Sequence, residues 1–564
     1  MIGRRPRGAP RPMAGRIGPS PCARGSCPGP RLDRPVFAVK GRSMSLAVPF
    51  TVVGSATLLS RVTGFVRDVL VAALLGTGGV AEAYVAAFLL PNLVRRMMSE
   101  GGLHAAMVPR LARLEQQGGD KAAREFAEDA LALLSVLAIL MVLAAEFFME
   151  PLMRVLAHGL SEDPALFAQA VFFGRIAFPF VGFTLLLALY AALLNSVERY
   201  AIAALVPVML NLLLIGVMVT LLVATDISQK RAGLFLVVTI LLAGFVQLVL
   251  LGMALSRTGF RVLPRPGAFR RGFFSREARM ALWLAVPGMA VAGSGHLHLL
   301  IAAQFASFRP HGLPTLYFAD RLFQLPLGFA ASAIGVVLLP RIARALQARD
   351  EAGLDAARAE SFRFAVLLVL PSAAGLFLLA DPIIAVLFQR GAFTAEDALA
   401  TAANLRGLAL ALPAFVLAKI LLPEFLAEER MRTPLLAIGL ACGLNALAVW
   451  LIGPRQNALA PVLGVMIGAW SYAAILYGIA RKRLRLGWRA LRDLAAAMAA
   501  TAGMAVALRF ALPPIEPFLA AGNPLAIKAL ALASIILLGA GVHLLLARLF
   551  GILDFRLLRV ERTG

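Results

Sequence analysis

The 564-residue chain is poor in the residues that build metal centres and covalent frameworks. It has three cysteines, Cys22, Cys27 and Cys442, and six scattered histidines. Neither set has the spacing of a metal site or a disulfide scaffold. Acids are scarce too: 31 Asp and Glu stand against 55 Lys and Arg, a net charge of +24 on a chain that is only 15% charged. The apolar stretches carry no paired carboxylates, histidine cluster or nucleophile motif, which argues against a membrane enzyme. Aromatic residues do not interleave with the basic clusters, so nucleic acid is set aside as a partner. Nothing implies an organic cofactor.

What the chain has in abundance is apolar length. Hydrophobic residues make up 60% of it and the mean hydropathy is +0.82, against about 45–50% apolar residues in soluble domains. Runs of about 20 residues, enough to cross ~30 Å of hydrocarbon, recur fourteen times: 46–75, 80–103, 125–148, 166–195, 199–224, 232–255, 280–306, 314–340, 362–380, 399–424, 434–453, 459–480, 489–512 and 524–549. The expected fold is an all-α integral membrane protein with fourteen transmembrane helices. Connections after the second, sixth, eighth and twelfth runs are rich in Arg and Lys, as at Arg257–Arg279 and Arg481–Arg492. The first connection has no cation, and those after runs seven and eleven have only Arg309 and Arg455. Cytoplasmic loops carry the cationic excess, so the even-numbered connections and both termini are expected in the cytoplasm.

Residues 1–43 differ from the rest. They hold ten Lys and Arg against one acid, Asp33, among many Pro and Gly. No apolar core follows Arg4 and Arg5, so the stretch is not a secretory signal. Its composition reads as disordered. Met44 stands where a first span begins and reads as the initiator, with an Arg-rich organellar transit peptide as the alternative.

An internal repeat runs through the remainder. MEPLMRVLAHG at Met149 resembles ADPIIAVLFQRG at Ala380, and MVPRLARLEQ at Met107 resembles LLPRIARALQ at Leu338. Pro179 precedes Asn211 by 32 residues, as Pro413 precedes Asn445. The offset is about 230 residues, or six spans, so the copies share an orientation and predict two pseudo-symmetric six-helix lobes about an axis along the membrane normal. The expected organisation is a basic extension (1–43), a first lobe (44–257), a second lobe (258–481), and two further spans with a cytoplasmic tail (482–564). Two parallel lobes with charge between them describe an alternating-access transporter.

The charge is concentrated in 60–101, SRVTGFVRDVLVAALLGTGGVAEAYVAAFLLPNLVRRMMSEGG. An arginine at the centre of a membrane helix is unfavourable by roughly 2.5–3.5 kcal/mol on insertion scales. Arg61, Arg67, Asp68, Glu82, Arg95, Arg96 and Glu100 are therefore expected to face a polar interior suited to an anionic cargo. Snorkelling to the headgroups is the competing reading for Arg95 and Arg96.

Several stretches resemble the MurJ (MviN) family of lipid II flippases, of the multidrug/oligosaccharidyl-lipid/polysaccharide exporter superfamily. They are SRVTGFVRD (60–68), LPNLVRRMMSEGGLHAAMVPRLA (90–112), YFADRLFQLPLG (317–328), LFQRGAFTAEDALATA (387–402) and ALPAFVLAKILLPEF (411–425), with LNSVERYAIAALVPVMLN (194–211) and RTPLLAIGLACGLNALA (432–448). The resemblance implies a carrier, not an enzyme, in the bacterial cytoplasmic membrane. It would move undecaprenyl-pyrophosphate-linked disaccharide-pentapeptide to the outer leaflet, with membrane lipids around it and cell-wall synthesis proteins as further partners. It implies substrate-binding roles for Arg61, Arg67, Arg95 and Arg321, with Asp68, Glu82, Arg96, Glu100 and Asp320 as supporting charges. Arg suits a pyrophosphate because it meets phosphate oxygens bidentately. Charge balance is the competing role for Asp68 and Asp320. The alternative cargo is another lipid-linked oligosaccharide or amphiphile.

Three departures from the family pattern stand out. Gln324 occupies a position often acidic, and Glu82 one where Asp is more usual. Where some members hold a cation with carboxylates in spans seven and eleven, this chain has Ser294, His296 and His298, and Asn445 followed by Val449. That argues against a sodium site and leaves open coupling to an ion or to the membrane potential.

Overall fold

A computed structural model describes residues 47–99, 102–224, 227–260, 262, 266–333, 348, 350–427, 430–480, 488–520 and 522–553. Every regular element among the described residues is helical. The first six spans are built from α1 (Ala47–Leu75), α2 (Gly79–Ser99), α3 (Gly102–Phe147), the pair α5 (Pro164–Ala177) and α6 (Pro179–Ser196), α7 (Tyr200–Val223) and α8 (Gln229–Ser256). A short helix α4 (Met149–Leu156) and a 3₁₀ turn (His158–Glu162) lie between α3 and α5. The next six follow α9 (Pro266–Phe274), a short basic helix. They are the pair α10 (Arg276–Ala292) and α11 (Ser294–Ala306), then α12 (Gly312–Ala333), α13 (Glu351–Leu378), α15 (Ala395–Ala427), α16 (Arg432–Ile452) and α17 (Ala460–Ala480). Helix α14 (Ala380–Phe388) sits between α13 and α15 as α4 sits between α3 and α5. Helices α18 (Trp488–Leu519) and α19 (Leu525–Leu549) close the chain.

The repeat read from the sequence is realised as matched packing. In the first lobe α1 packs on α7, α7 on α8, α6 on α3 and α8, and α2 on α5. In the second, α11 packs on α16, α16 on α17, α15 on α13 and α17, and α12 on α15. Corresponding spans therefore choose corresponding neighbours. Asn211 and Asn445 repeat this at the level of one side chain. Asn211 Nδ2 donates to the Ser60 carbonyl of α1 at 3.1 Å, and Asn445 Nδ2 to the His298 carbonyl of α11 at 3.1 Å. Each ties the fifth span of its lobe to the first.

Among the described residues, ten helices are long and apolar enough to cross a membrane, or eleven with the seventh span counted as one bent unit. Helices α1, α2 and α12 fall outside that set, and they are the ones carrying the charges of the central cluster. With them the arrangement is consistent with fourteen crossings.

Two features depart from the expected layout. The cationic connection after the second span is helical: α3 starts at Gly102, and its regularity breaks only at Gly119, where φ is +68°. The seventh span bends by 64° between Val291 and Ser294. Its first half, α10, packs against α3 of the first lobe, while α11 packs within the second. Gly293 lies in that break, where a Cβ would come within 2.7 Å of Met97 Cγ. The basic extension lies outside the described residues.

Candidate functional site

Helix α12 brings the lobes together. It is the second span of its lobe and packs against α2, the second span of the other, with α1 alongside. Asp320 and Arg321 are adjacent on it and reach different partners. Arg321 Nε lies 3.4 Å from Asp68 Oδ2 on α1. Asp320 Oδ2 accepts both Arg96 Nη1 and Nη2 from α2, each at 3.1 Å. Two ion pairs of opposite polarity thus cross the interface at neighbouring positions.

Further contacts hold each charge. Asp68 Oδ1 accepts Arg67 Nη2 at 2.7 Å, Arg67 Nε at 3.1 Å and the Tyr317 hydroxyl at 3.2 Å. Arg67 Nη1 donates to Asn211 Oδ1 at 2.9 Å, which fixes the guanidinium to α7. The Arg321 guanidinium stacks 4.3 Å from the centre of the Tyr317 ring one turn before it, a cation–π contact. Gln324 donates to Asp320, and Arg96 Nη1 lies 3.3 Å from His296 Nδ1. Side chains of Arg67, Arg96 and Arg321 are 14%, 11% and 12% exposed, so snorkelling does not account for Arg96. Beside the cluster is a cavity of about 70 Å³, lined by Asn92, Arg96, His296, Tyr317 and Asp320 among apolar residues. That is room for a few waters at most.

The remaining sequence-derived residues are distributed as follows. Arg95 Nη2 donates to Asn92 Oδ1 at 2.7 Å, and the residue lies within electrostatic reach of Arg96, Arg67 and Arg321. Arg61 is separate from the crossed pairs: its guanidinium stands 5.1 Å from the Phe329 ring centre and against Gly328, two turns along α12 from Arg321. Glu82 does not support the cluster either. It is buried at the other end of α2, beside the backbone of His311 and Gly312. Its place at the start of α2, thirteen residues before Arg95, puts it on a different level of the molecule. Glu100 lies outside the described residues.

The guanidinium groups of this cluster are not left to repel one another. Asp68 and Asp320 bridge them, and a carboxylate between two guanidinium groups turns repulsion into attraction. Tyr317, Asn211, Asn92 and His296 were not among the expected site residues. The signal for Tyr317 is its spacing four residues before Arg321 on one helix face. Asn211 was visible only as a marker of the repeat.

A second feature begins where Arg61 ends. Phe329 lines an apolar cavity of about 500 Å³ between α12, α13, α18 and α19, with Leu325, Leu368, Leu376, Leu508, Ile536 and Leu544 on its walls. Helices α18 and α19 pack on each other and against α13. They thereby enclose an oily groove contiguous with the interface of the two lobes.

Fold and interface define a polytopic α-helical membrane protein of two pseudo-symmetric lobes joined through buried charge. A solved structure with the printed description lipid II flippase MurJ, inward closed conformation, superposes with a TM-score of 0.70 at 19% identity, over 90% of this chain and 99% of that one. An inward-facing multidrug resistance MATE family transporter of the same superfamily gives 0.61 at 17% identity, over 77% and 98%. The family model described as lipid II flippase MurJ matches residues 71–520. A probable lipid II flippase MurJ from Rhizobium meliloti (strain 1021) is 34% identical over 529 residues, covering 92% of this chain and 96% of that protein. The chain belongs to the lipid II flippase MurJ family.

Proposed function

We propose that the chain carries the lipid-linked peptidoglycan precursor lipid II from the inner to the outer leaflet of the bacterial cytoplasmic membrane by alternating access, with both termini in the cytoplasm. The head group binds at the interface of α1, α2 and α12. Arg67, Arg95, Arg96 and Arg321 meet the pyrophosphate there, and Asp68 and Asp320 hold the arginines in place between cargoes. The prenyl tail follows the apolar groove beside α18 and α19, with Arg61 at the junction of the two. No cofactor is needed for this path, and the driving force is an ion or the membrane potential.

One observation carries the reading: in a chain of the MurJ family, Arg67, Arg96 and Arg321 meet Asp68 and Asp320 between the lobes, a set of largely enclosed guanidinium groups suited to a diphosphate. The cavity there holds no more than a few waters, so a disaccharide-pentapeptide requires the lobes to part. A cargo shifts such an equilibrium only by binding one state better than the other. Pyrophosphate does so by replacing aspartate on arginines that the moving lobes share. An inside-negative potential, worth ~2.3 kcal/mol per charge per 100 mV, draws the emptied cationic site back towards the cytoplasm.

Depletion in a cell that depends on this protein tests the reading. Lipid II should accumulate in the inner leaflet, with lysis following, and wild-type expression should restore outer-leaflet lipid II. Normal outer-leaflet lipid II after depletion refutes it.

A further inference from the structure

The two motifs that revealed the repeat, MEPLMRVLAHG and ADPIIAVLFQRG, both end in glycine, and the arginine cluster does not use them. Those glycines, Gly159 and Gly391, occupy equivalent places: one follows α4, the other α14. Each presses into the opposite lobe. A Cβ on Gly159 would lie 2.2 Å from the Ser307 carbonyl oxygen and 2.3 Å from Phe308 N, just past the end of α11. A Cβ on Gly391 would lie 2.3 Å from the Ala73 carbonyl oxygen near the end of α1. Since α11 ends the first span of the second lobe and α1 is the first span of the other, the contacts are pseudo-symmetric mates. Hydrogen bonds follow the same pattern: Gly159 N donates to Ser307 Oγ at 2.9 Å, and Ala392 N to the Ala73 carbonyl at 2.9 Å.

More contacts between the lobes surround these two. Thr77 donates to Asp397, and its hydroxyl lies 2.6 Å from His311 Nδ1. His311 has a left-handed backbone, with φ of +66°, a conformation unfavourable for a non-glycine residue. Its ring meets Thr77 and Asp397, and the carboxylate of Glu82 of the first lobe lies beside its backbone. All of these residues lie on the face whose connections are poor in cations, the extracytoplasmic face. Beneath them is a cavity of about 490 Å³ that includes Thr315 and Asn404.

We propose that Gly159 and Gly391 are the two bearing points of an outer gate, and that Thr77, His311, Asp397 and Glu82 latch it. This rests on the carrier reading above, which requires the outer face to open. Glycine is demanded because the lobes close backbone to backbone, leaving no space for a methyl group. Such a joint is tight yet separable, because it is held by van der Waals contact and a few hydrogen bonds over a polar cavity, not by a buried hydrophobic seam.

The test reads the gate without cargo. Thr315→Cys, in a chain with Cys22, Cys27 and Cys442 replaced by Ala, is treated on intact cells with a membrane-impermeant methanethiosulfonate. Adding Gly159→Ala should raise the labelling rate by roughly fivefold or more, the scale on which a marginal equilibrium responds to a small loss of closure. Gly216→Ala, at a glycine on α7 with nothing within 4 Å, is the control and should leave the rate unchanged. Equal rates for Gly159→Ala and the control, at equal membrane levels, overturn the gate. Independently, Thr77→Cys with Asp397→Cys, bridged by a short thiol cross-linker, should stop lipid II reaching the outer leaflet until a reductant is added. Undiminished transport in the bridged protein also overturns it. Because the labelling arm needs no lipid II, a gate that responds in a chain that moves none refutes the cargo and leaves the gate standing.

Discussion

Asp68 and Arg321 meet across the two lobes at 3.4 Å, and the residue beside each of them defines what that contact does. Arg67, next to Asp68, shares the same carboxylate, so Asp68 carries two guanidinium groups, one from each lobe. Asp320, next to Arg321, takes Arg96 from the first lobe. Parting the lobes breaks both pairs, leaving Asp68 with Arg67 and Asp320 with Gln324 of their own helices, whereas a pyrophosphate entering the interface offers Arg96 and Arg321 a replacement. The cluster is therefore held in the closed state by internal anions, and cargo binding is an exchange of one anion for another.

Arginine replacements should show this exchange. Arg67→Ala, Arg95→Ala and Arg321→Ala are expected to abolish flipping while the protein inserts normally, with Arg321→Ala the most severe because it also removes the stacking on Tyr317. Removing one member of a buried pair destabilises by about 3–5 kcal/mol, so expression must be matched before activity is compared. Lys replacements should recover only part of the activity, since they keep charge and lose the fork. Outer-leaflet lipid II in complemented cells is the readout, and full activity of Lys at all three sites would show that charge alone suffices.

Asp68→Asn should separate positioning from charge balance. The substitution retains an acceptor for Tyr317 and leaves Arg67 and Arg321 facing each other with no anion between them. The closed state is expected to loosen, seen as faster thiol labelling at the interface, and transport to fall by more than in Gln324→Ala, which removes only a neutral donor to Asp320. Equal transport in the two variants would make Asp68 a passive counter-ion.

Much of this architecture was legible in the sequence because bilayers leave few options: fourteen apolar runs and a six-span repeat leave little besides a helical bundle of two matched halves. The arginines were legible for the opposite reason, since charge in an apolar run must have a purpose. What could not be read was pairing. Glu82 and Asp68 look alike in sequence, yet Glu82 sits at the start of α2 beside His311 and Gly312 while Asp68 bridges two guanidinium groups from α1, because the turn after Leu75 puts them on different helices. The family resemblance grouped Arg61 with Arg67, but six residues along a helix is about 9 Å, enough to place Arg61 against Phe329. The bend at Gly293 depends on what Met97 needs from another helix, which no local pattern encodes.

Asn211 and Asn445 should behave as a matched pair in stability and differ in function. Each donates from a buried amide to a carbonyl of the first span of its lobe. Replacement by Leu removes that hydrogen bond, a loss of about 0.5–1.5 kcal/mol, visible as a lower melting temperature in detergent for both variants. Only Asn211 also holds Arg67, so Asn211→Leu should reduce transport well beyond Asn445→Leu at equal protein level. Equal transport defects would mean that the Asn211–Arg67 bond is incidental.

The groove can be tested by filling it. Gly539→Phe places a ring on α19 facing Leu508, where the present glycine lets the helices approach. Ala540→Trp projects into the cavity wall without disturbing that contact. Both should lower transport with insertion intact, and Ala540→Trp discriminates blockage from mispacking. Deleting α18 and α19 altogether should have at least as large an effect; full activity in that truncation refutes a tail path there.

The final prediction concerns the inner face, where the halves of the seventh span part company. Arg110 Nε and Arg113 Nη2 of α3 both reach Glu277 Oε2 at the start of α10, at 2.8 and 3.3 Å. A few residues earlier, Arg271 meets Asp129 at 3.4 Å, and Gly272 lies so close to the Asp129 carbonyl that a Cβ would be 2.5 Å from it. The α10 half of a second-lobe span is thus fastened to the first lobe by charge at the end of the molecule with the cation-rich connections. Partly exposed ion pairs contribute little each, about 0–1 kcal/mol, which suits a fastening that must release in every cycle. Glu277→Gln should weaken it, raising labelling of a cysteine at Ala285, buried on α10, from the cytoplasmic side of inverted vesicles. Arg110→Glu alone should do the same, and Arg110→Glu with Glu277→Arg should bring labelling back towards wild type, because the pair is restored with its polarity reversed. High salt should mimic the single variants and have little effect on them, as screening acts only where the pair exists. If the double variant labels as fast as the sum of the singles, Arg110 and Glu277 act independently and the bend of the seventh span is held by packing alone.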